Sequence, residues 1–430
     1  MNANPVLKQL TQWLFGAPQR MIRPAPLQFP AWLVAVGVAF LALSAQTAPV
    51  LGQIGQIQPA PSSAAAADAQ MTPRLRPDGK KWRIGYYEGG QFPDYEVIMK
   101  STLRSLITLG WMEPMELQRA NMPQAGAFWK YLSENAKSRF IEFPADAYFA
   151  AGDFDAEQRK VVRPQLISRL SKGQDIDLMI AMGTWAGQDL ASADHSVATI
   201  VMSSSDPIGS KIVKSAEDSG FDHLHAKVEP TRYQRQVNLF HDVIGFKTLG
   251  VVYEDTPEGR TFGGVAAIEQ VAKERGFTIV PCLAAFNNIS RSEAEGNVLR
   301  CYDQLAAKVE AVYITVHRGV TDRSLPGIVA SLSKGKVPSF SMLGSPQVQK
   351  GVLMSIAQAD FSYVGRFHAE TIARVFSGIR PRMLSQIWED PAKIAINIQA
   401  AKAIGFNPPV ELMLAADEIY ETIEGAAKAP

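Results

Sequence analysis

Only two cysteines, Cys282 and Cys301, occur in 430 residues. That excludes a disulfide-built scaffold and any four-cysteine metal site. The pair itself reads as two buried thiols, with a disulfide in an oxidising compartment as the alternative. Neither looks like an activated nucleophile, because no base is evident nearby in the sequence. An excess of charge is missing too: 43 Lys+Arg against 42 Asp+Glu leave a formal net charge of +1. Nothing in that balance calls for a nucleic-acid partner or an acidic solvating tail. Also absent are a G-x-x-x-x-G-K-S/T phosphate loop, H-E-x-x-H, G-x-S-x-G, and a G-x-G-x-x-G following a strand. The chain therefore reads as a non-enzyme with no cofactor and no metal. Histidines number six. His223 and His225 would share a face of a strand and could form a metal pair, but surface positions on a crossover are the favoured reading.

What is present begins with an export-like segment. Lys8, Arg20 and Arg23 precede an uncharged apolar run, Ala31–Ala45. At about 15 residues it is short for a spanning helix, which wants about 20, and suits a signal-peptide core. Small residues Ser44, Ala45 and Ala48 follow, and Met21 is an alternative start. An uncleaved anchor is the second reading. Residues 46–80 are rich in Ala, Pro, Gln and Ser and read as a disordered tether.

From Lys81 onward, short apolar runs alternate with amphipathic patterns. Strands are expected at 82–87, 176–182, 198–202, 248–253, 277–281, 311–316, 337–342 and 352–356. A helix carries Met99, Leu103, Leu106 and Ile107 on one face and stops at Gly110. Continuous apolar strands separated by helices mean βαβ units and a parallel sheet covered on both faces. The pattern occurs twice, so the fold class expected is α/β, with two doubly wound lobes. The boundaries expected are 81–225 for the first lobe, with a returning helix near 358–380, and 226–357 for the second, with the segment near 381–425. Residues 220–230 read as the crossover. The stretch 113–165 is longer than a βα connection needs; Phe128, Trp129, Tyr131 and Leu132 suggest an extra helix there, and 140–143 a further strand.

Open parallel sheets bind ligands at strand carboxyl ends. Candidate ligand contacts therefore sit where strands end. Tyr87 and Glu88 follow the first strand, Thr184 and Trp185 the strand at 176–182, and Ser204, Ser205 and Asp206 the strand at 198–202. Asp206 is expected either to cap a helix starting at Pro207 or to face the ligand. The second lobe offers Tyr253, Thr315, His317, Met342 and Asp360. Arg318 could hold a carboxylate or lie on the solvated rim. Glycines, hydroxyls and helix starts in these loops suit an anionic group.

Four stretches in order carry a resemblance. They are Met182 to Gln188, read as a Gly-Thr-x-Ala-x-Gln turn; Ser205-Asp206-Pro207; Leu249 to Tyr253; and Asn397, Ala401, Gly405, Pro408-Pro409 followed by Ala416-Asp417-Glu418. Together, over about Lys81 to Glu424, the chain resembles the substrate-binding proteins of ABC importers, in the group related to tryptophan- and tyrosine-type binding proteins. The resemblance implies a type I periplasmic binding fold with three hinge crossings. It implies capture of a small molecule between lobes, delivery to a membrane permease with a separate ATPase, and a periplasmic location. It carries Thr184, Ser204, Asp206 and Tyr253 over as ligand contacts. His317-Arg318 replaces a frequent Asp-Asn pair, and Trp185 replaces a small residue, so the group's usual amino acid is not assumed. A membrane-anchored sensing module with the same lobes is the alternative function.

Overall fold

The computed structural model describes residues 70–117, 126–358, 361–389 and 392–425. The export-like segment, residues 46–69 of the expected tether and Asp360 lie outside them. Residues 70–80, expected as the end of a disordered tether, are instead bonded to the first lobe, with Trp111 Nε1 donating to Met71 O at 3.0 Å and Arg76 Nη1 to the Asp177 carboxylate at 3.2 Å. The described chain builds two sheets. The first takes β1 (Trp82–Glu88), β2 (Ile141–Glu142), β3 (Tyr148–Ala150), β4 (Leu178–Met182), β5 (Ala198–Met202) and β6 (Leu224–Ala226) in the order β2-β1-β4-β5-β6. β3 pairs with β1 above β2, on the same edge, and every pairing is parallel. Each residue of β4 is buried, as a strand covered on both faces requires.

The helices of this lobe follow from local chemistry. α1 (Pro93–Thr108) opens with a proline at its first position and has Asp94 and Glu96 in its first turn. Both choices suit a helix start, where the missing N–H and the positive dipole end are tolerated or complemented. Its apolar face, Met99, Leu103 and Leu106, is buried. It ends before Gly110, whose φ of +78° lets the chain reverse. α2 (Ala127–Asn135) lies within the long 113–165 segment. α3 (Ala156–Lys172) is capped by Asp155, which accepts from the amides of Glu157 and Gln158. α4 (Gly183–Leu190) follows β4 directly.

The second sheet runs β13-β12-β11-β10-β9-β7-β8. Its members are β7 (Thr248–Tyr253), β8 (Thr278–Leu283), β9 (Ala311–Ile314), β10 (Ser339–Ser341), β11 (Met354–Gln358), β12 (Ala392–Asn397) and β13 (Ala416–Tyr420). All neighbours are parallel except β11 and β12. Between them lie α5 (Arg232–Ile244), α6 (Pro257–Phe262), α7 (Val265–Arg275), α8 (Arg291–Ala306), α9 (Leu325–Lys334) and α10 (Ser345–Gln349). Two α/β sheets, mostly parallel, are the expected class. α11 (Ser362–Phe376) follows β11 yet packs into the first lobe's core through Val364, Ile372 and Phe376. Its Gly365 sits so near Ser101 of α1 that an added Cβ would come within 2.2 Å of the Ser101 hydroxyl. α12 (Ile398–Ile404) and α13 (Val410–Ala415) complete the chain before β13.

The chain thus passes between lobes three times: after β6, after β11 and after α11. Two of these passages pair with each other. Val228 bridges Ile387 in parallel, with Val228 N donating to Gln386 O at 2.8 Å and Trp388 N to Val228 O at 2.9 Å.

Three further expectations are corrected. Cys282 on β8 and Cys301 on α8 form a disulfide, with Cα atoms 5.6 Å apart; the spacing of 19 residues brings the strand end back against the next helix. A loop of that size constrains the unfolded chain by about 3 kcal/mol. His223 and His225 are buried rather than on the surface. They flank and occupy β6, the first sheet's edge, which α11 and the returning 381–389 segment cover: His225 Nε2 donates to Ser385 O at 2.9 Å and its ring lies 5.6 Å from that of Phe367. The helix expected at Pro207 does not form; residues 207–217 are turns and bends.

Burial holds His225 down to about 4, and His195, whose ring meets that of His223 at 4.5 Å, also to about 4. Both are depressed below the unfolded value near 6.5. The unfolded chain therefore binds more protons between about pH 6.5 and 4, and this contribution to stability is lost as pH falls through that window. For His225 the difference corresponds to about 3 kcal/mol. Chemical denaturation of wild type and His225→Gln at pH 7 and 4.5 is expected to show the smaller acid loss in the variant.

Candidate functional site

The carboxyl ends of both sheets face one cleft. Its walls are Phe92, Asp94 and Ile98 from the start of α1, Ser203–Ser205 after β5, and Phe361 and Val364 at the start of α11. Opposite stand Arg232 and Tyr233 of α5, Val316 after β9, and Met342 and Leu343 after β10, with Lys227 at the hinge. The enclosed volume is about 60 Å³, well below the ~300 Å³ at the small end of ligand pockets. The lobes are nearly shut on each other.

Two helix starts bring opposite charges to the cleft, and Lys227 adds a third charge at the hinge. Asp94 is half-buried, and burial pushes its carboxyl up to about 6 while the Arg232 guanidinium pulls the other way. Arg232 sits at the first position of α5, so its side chain leaves the helix toward the cleft. Beside them, Tyr233 Oη donates to Ser205 O at 2.8 Å, a direct bond between lobes. Lys227 pairs with Glu229 at 3.5 Å. The remaining lining is apolar, with Phe92, Ile98, Val316, Leu343 and Phe361 around the charged pair.

The expected contacts divide. Ser204, Ser205 and Met342 line this cleft. Thr184 lies just behind it, its hydroxyl 3.3 Å from that of Ser204. Asp206 is committed to its own turn: Oδ1 accepts from Ile208 N at 3.1 Å and Gly209 N at 2.8 Å. Tyr87 is a core residue, fully buried, donating to Asp189 at 2.7 Å; Arg159 grips the same carboxylate from the other side. Thr315 donates to Val252 O and is also sealed in the core. His317 spends both nitrogens on backbone, Nε2 donating to Ala284 O and Nδ1 accepting from Gly319 N. Tyr253 accepts from Arg260 at 3.3 Å. Glu88 faces a different cavity, beside β3.

Trp185 and Arg318 join the lobes instead of presenting a surface to a ligand. Trp185 Nε1 donates to Glu258 of α6 at 3.0 Å, with the Arg159 guanidinium 4.6 Å from its ring and Phe154 against its edge. Arg318 donates to the backbone oxygen of Asp153 at 3.1 Å and lies 3.3 Å from its carboxylate, which Arg291 also reaches at 2.9 Å. Gly183 explains part of this geometry. Its φ is +85°, and a Cβ there would meet the Tyr95 hydroxyl at 1.8 Å, so only glycine lets α4 start against α1.

Sequence reasoning missed Asp94, Arg232 and Phe92. Asp94 lies in the first turn of the helix that follows β1, and that place was the available signal. Arg232 had no such cue, because it follows the crossover and not a strand.

A family model described as ABC transporter substrate binding protein matches residues 154–420. No curated protein sequence matches the chain. Among solved structures, an ABC domain in complex with L-Trp from Streptococcus pneumonia is similar at TM-score 0.59 and 19% identity, covering 79% of this chain and 100% of that one. A conserved domain protein from Vibrio cholerae gives the same figures. A ligand-free, open substrate binding protein with adhesive properties from Clostridium difficile follows at TM-score 0.52 and 16% identity, covering 79% and 99%. The fold shared with these is the two-lobed type I periplasmic binding fold.

Asp206→Ala removes a charged acceptor from two amides and is expected to cost about 1–2 kcal/mol of stability, with Asp206→Asn nearer neutral. Urea denaturation of the two variants checks this.

Proposed function

Because the chain belongs to the ABC transporter substrate binding protein family, we propose that it captures an amino-acid-like zwitterion in the cleft between Asp94 and Arg232. It then presents the solute to a membrane permease driven by a separate ATPase. The observation that carries this reading is that opposite charges, Asp94 and Arg232, line one cleft together with a serine turn and apolar side chains. Asp94 suits an ammonium, and the Arg232 fork suits a carboxylate bidentately. The Ser203–Ser205 turn adds hydroxyls and amides. Phe92, Ile98, Val316, Leu343 and Phe361 suit an apolar side chain. The protein's part is binding, with no chemistry of its own, in keeping with its family.

Capture works by hinge closure. A cavity of about 60 Å³ admits an amino acid only when the lobes part. Ligand contacts to both lobes then favour the shut form, because only there are all of them made. The export-like segment at 31–45 supports a periplasmic location, as a cleaved signal or as a tether to the inner membrane.

A thermal-shift screen of amino acids, aromatic acids and amines is expected to find a stabilising zwitterion, since a ligand that binds only the native state raises the melting temperature. Calorimetry with that hit is expected to show Asp94→Asn weakening affinity about 10–100-fold, the loss of one charged hydrogen bond. Asp94 is raised to about 6, so its carboxylate is protonated below that pH. Wild-type affinity should therefore fall as pH drops through about 6, and the variant should lack that fall. Equal affinity in wild type and Asp94→Asn would remove Asp94 from the site.

A further inference from the structure

A second cavity, of about 290 Å³, opens on the first lobe. Its walls are aromatic: Tyr86, Tyr95, Phe128, Trp129 and Tyr148, with Phe92 shared with the main cleft. Strand register builds it. β1 and β3 place Tyr86 beside Tyr148, and the two rings stack at 5.8 Å. Trp129 of α2 lies 5.6 Å from Tyr86, its Nε1 donating to Pro144 O. Apart from Arg291 at the rim, every lining residue precedes the 154–420 span matched by the family model. The long 113–165 segment contributes Gly126, Phe128, Trp129 and Tyr148, and the rest of the first-lobe wall comes from β1, α1 and the loop between them.

Two carboxylates line the cavity: Glu96, which Lys100 neutralises with its ammonium 5.7 Å from the Phe128 ring, and Glu88, which has no such partner among the described residues. Glu88, at the end of β1, is 6% exposed and accepts from Tyr86 Oη at 2.8 Å and from Tyr148 Oη at 2.7 Å. One tyrosine serves each oxygen, leaving further lone pairs. Among the described residues no lysine or arginine pairs with it. The nearby cations are engaged: Lys100 pairs with Glu96 at 2.5 Å, and Arg291 with Asp153 at 2.9 Å. A buried carboxylate without a counter-charge is costly, and aromatic faces attract cations.

We propose that this cavity is a binding site for a small organic monocation, an alkyl- or methylammonium held by the rings of Tyr86, Tyr95, Phe128, Trp129 and Tyr148 against the Glu88 carboxylate. Burial pushes the Glu88 carboxyl up, while the two tyrosine hydroxyls hold it down; a bound cation keeps it ionised. The site is separate from the zwitterion cleft and does not depend on that reading.

The test is calorimetry of the full chain with choline and with its uncharged carbon isostere, in which a tert-butyl group replaces trimethylammonium. Choline is expected to bind once per chain, at least ten-fold tighter than the isostere. Glu88→Gln should weaken choline at least ten-fold, and Phe128→Ala several-fold. Asp94→Asn should leave choline affinity unchanged. Tyr148→Phe provides a further arm should Glu88→Gln fail to fold; it removes one donor to the carboxylate and should alter choline affinity. No choline binding at millimolar concentration overturns the proposal. So does equal binding of the isostere, or a loss that follows Asp94→Asn instead of Glu88→Gln. Failure of the zwitterion screen alone leaves these outcomes untouched.

Discussion

The pairing of the two hinge segments is the joint on which the rest of the molecule depends. Val228 and Ile387 bridge in parallel, and the Gln386 side chain locks the segment in place: its Oε1 accepts from Ala226 N at 3.3 Å while its amide reaches Ser215 O and Ala216 O at 3.4 Å. Backbone hydrogen bonds of this kind bend more cheaply than a packed core deforms. The proposed closure would thus rotate the two lobes as bodies while each sheet keeps its register. The cleft lies between strand ends on either side of that joint, so a small rotation changes every distance across it at once.

The shut arrangement is held by few bonds. Among the described residues, Tyr233 to Ser205 O, Trp185 and Arg159 to Glu258, and the arginine pair on Asp153 are polar contacts that cross between the lobes. Arg291 and Asp153 are each a little under half exposed, and solvent-exposed ion pairs contribute only about 0–1 kcal/mol. That weakness suits the clamp proposed above. A strong latch would shut the lobes without a ligand and leave no free energy for the ligand to supply.

Most of the fold was legible because parallel strands buried on both faces carry a plain signal. Leu178–Met182 and Ala311–Ile314 are unbroken apolar runs. The alternation of such runs with helical patterns, twice over, gave two sheets. The site was only partly legible. Strand ends pointed to Ser204, Ser205 and Met342, yet the same rule chose Tyr87, Thr315 and His317, whose polar atoms are consumed by Asp189 and backbone groups within the lobes. A strand end marks where the backbone stops; it does not say which way the side chain points. Asp94 and Arg232 sit on helix starts, and which helix starts face the cleft is decided by packing across the hinge. The burial of His225 escaped for the same reason, since it depends on Ser385 and Phe367, far along the chain.

Small-angle scattering of the full chain with and without the zwitterion found by screening tests the clamp most directly. Hinge closure predicts a smaller radius of gyration and a shorter maximum dimension once ligand is saturating, lost again in Asp94→Asn. An unchanged scattering profile on binding would contradict a clamp and leave a rigid, preformed site.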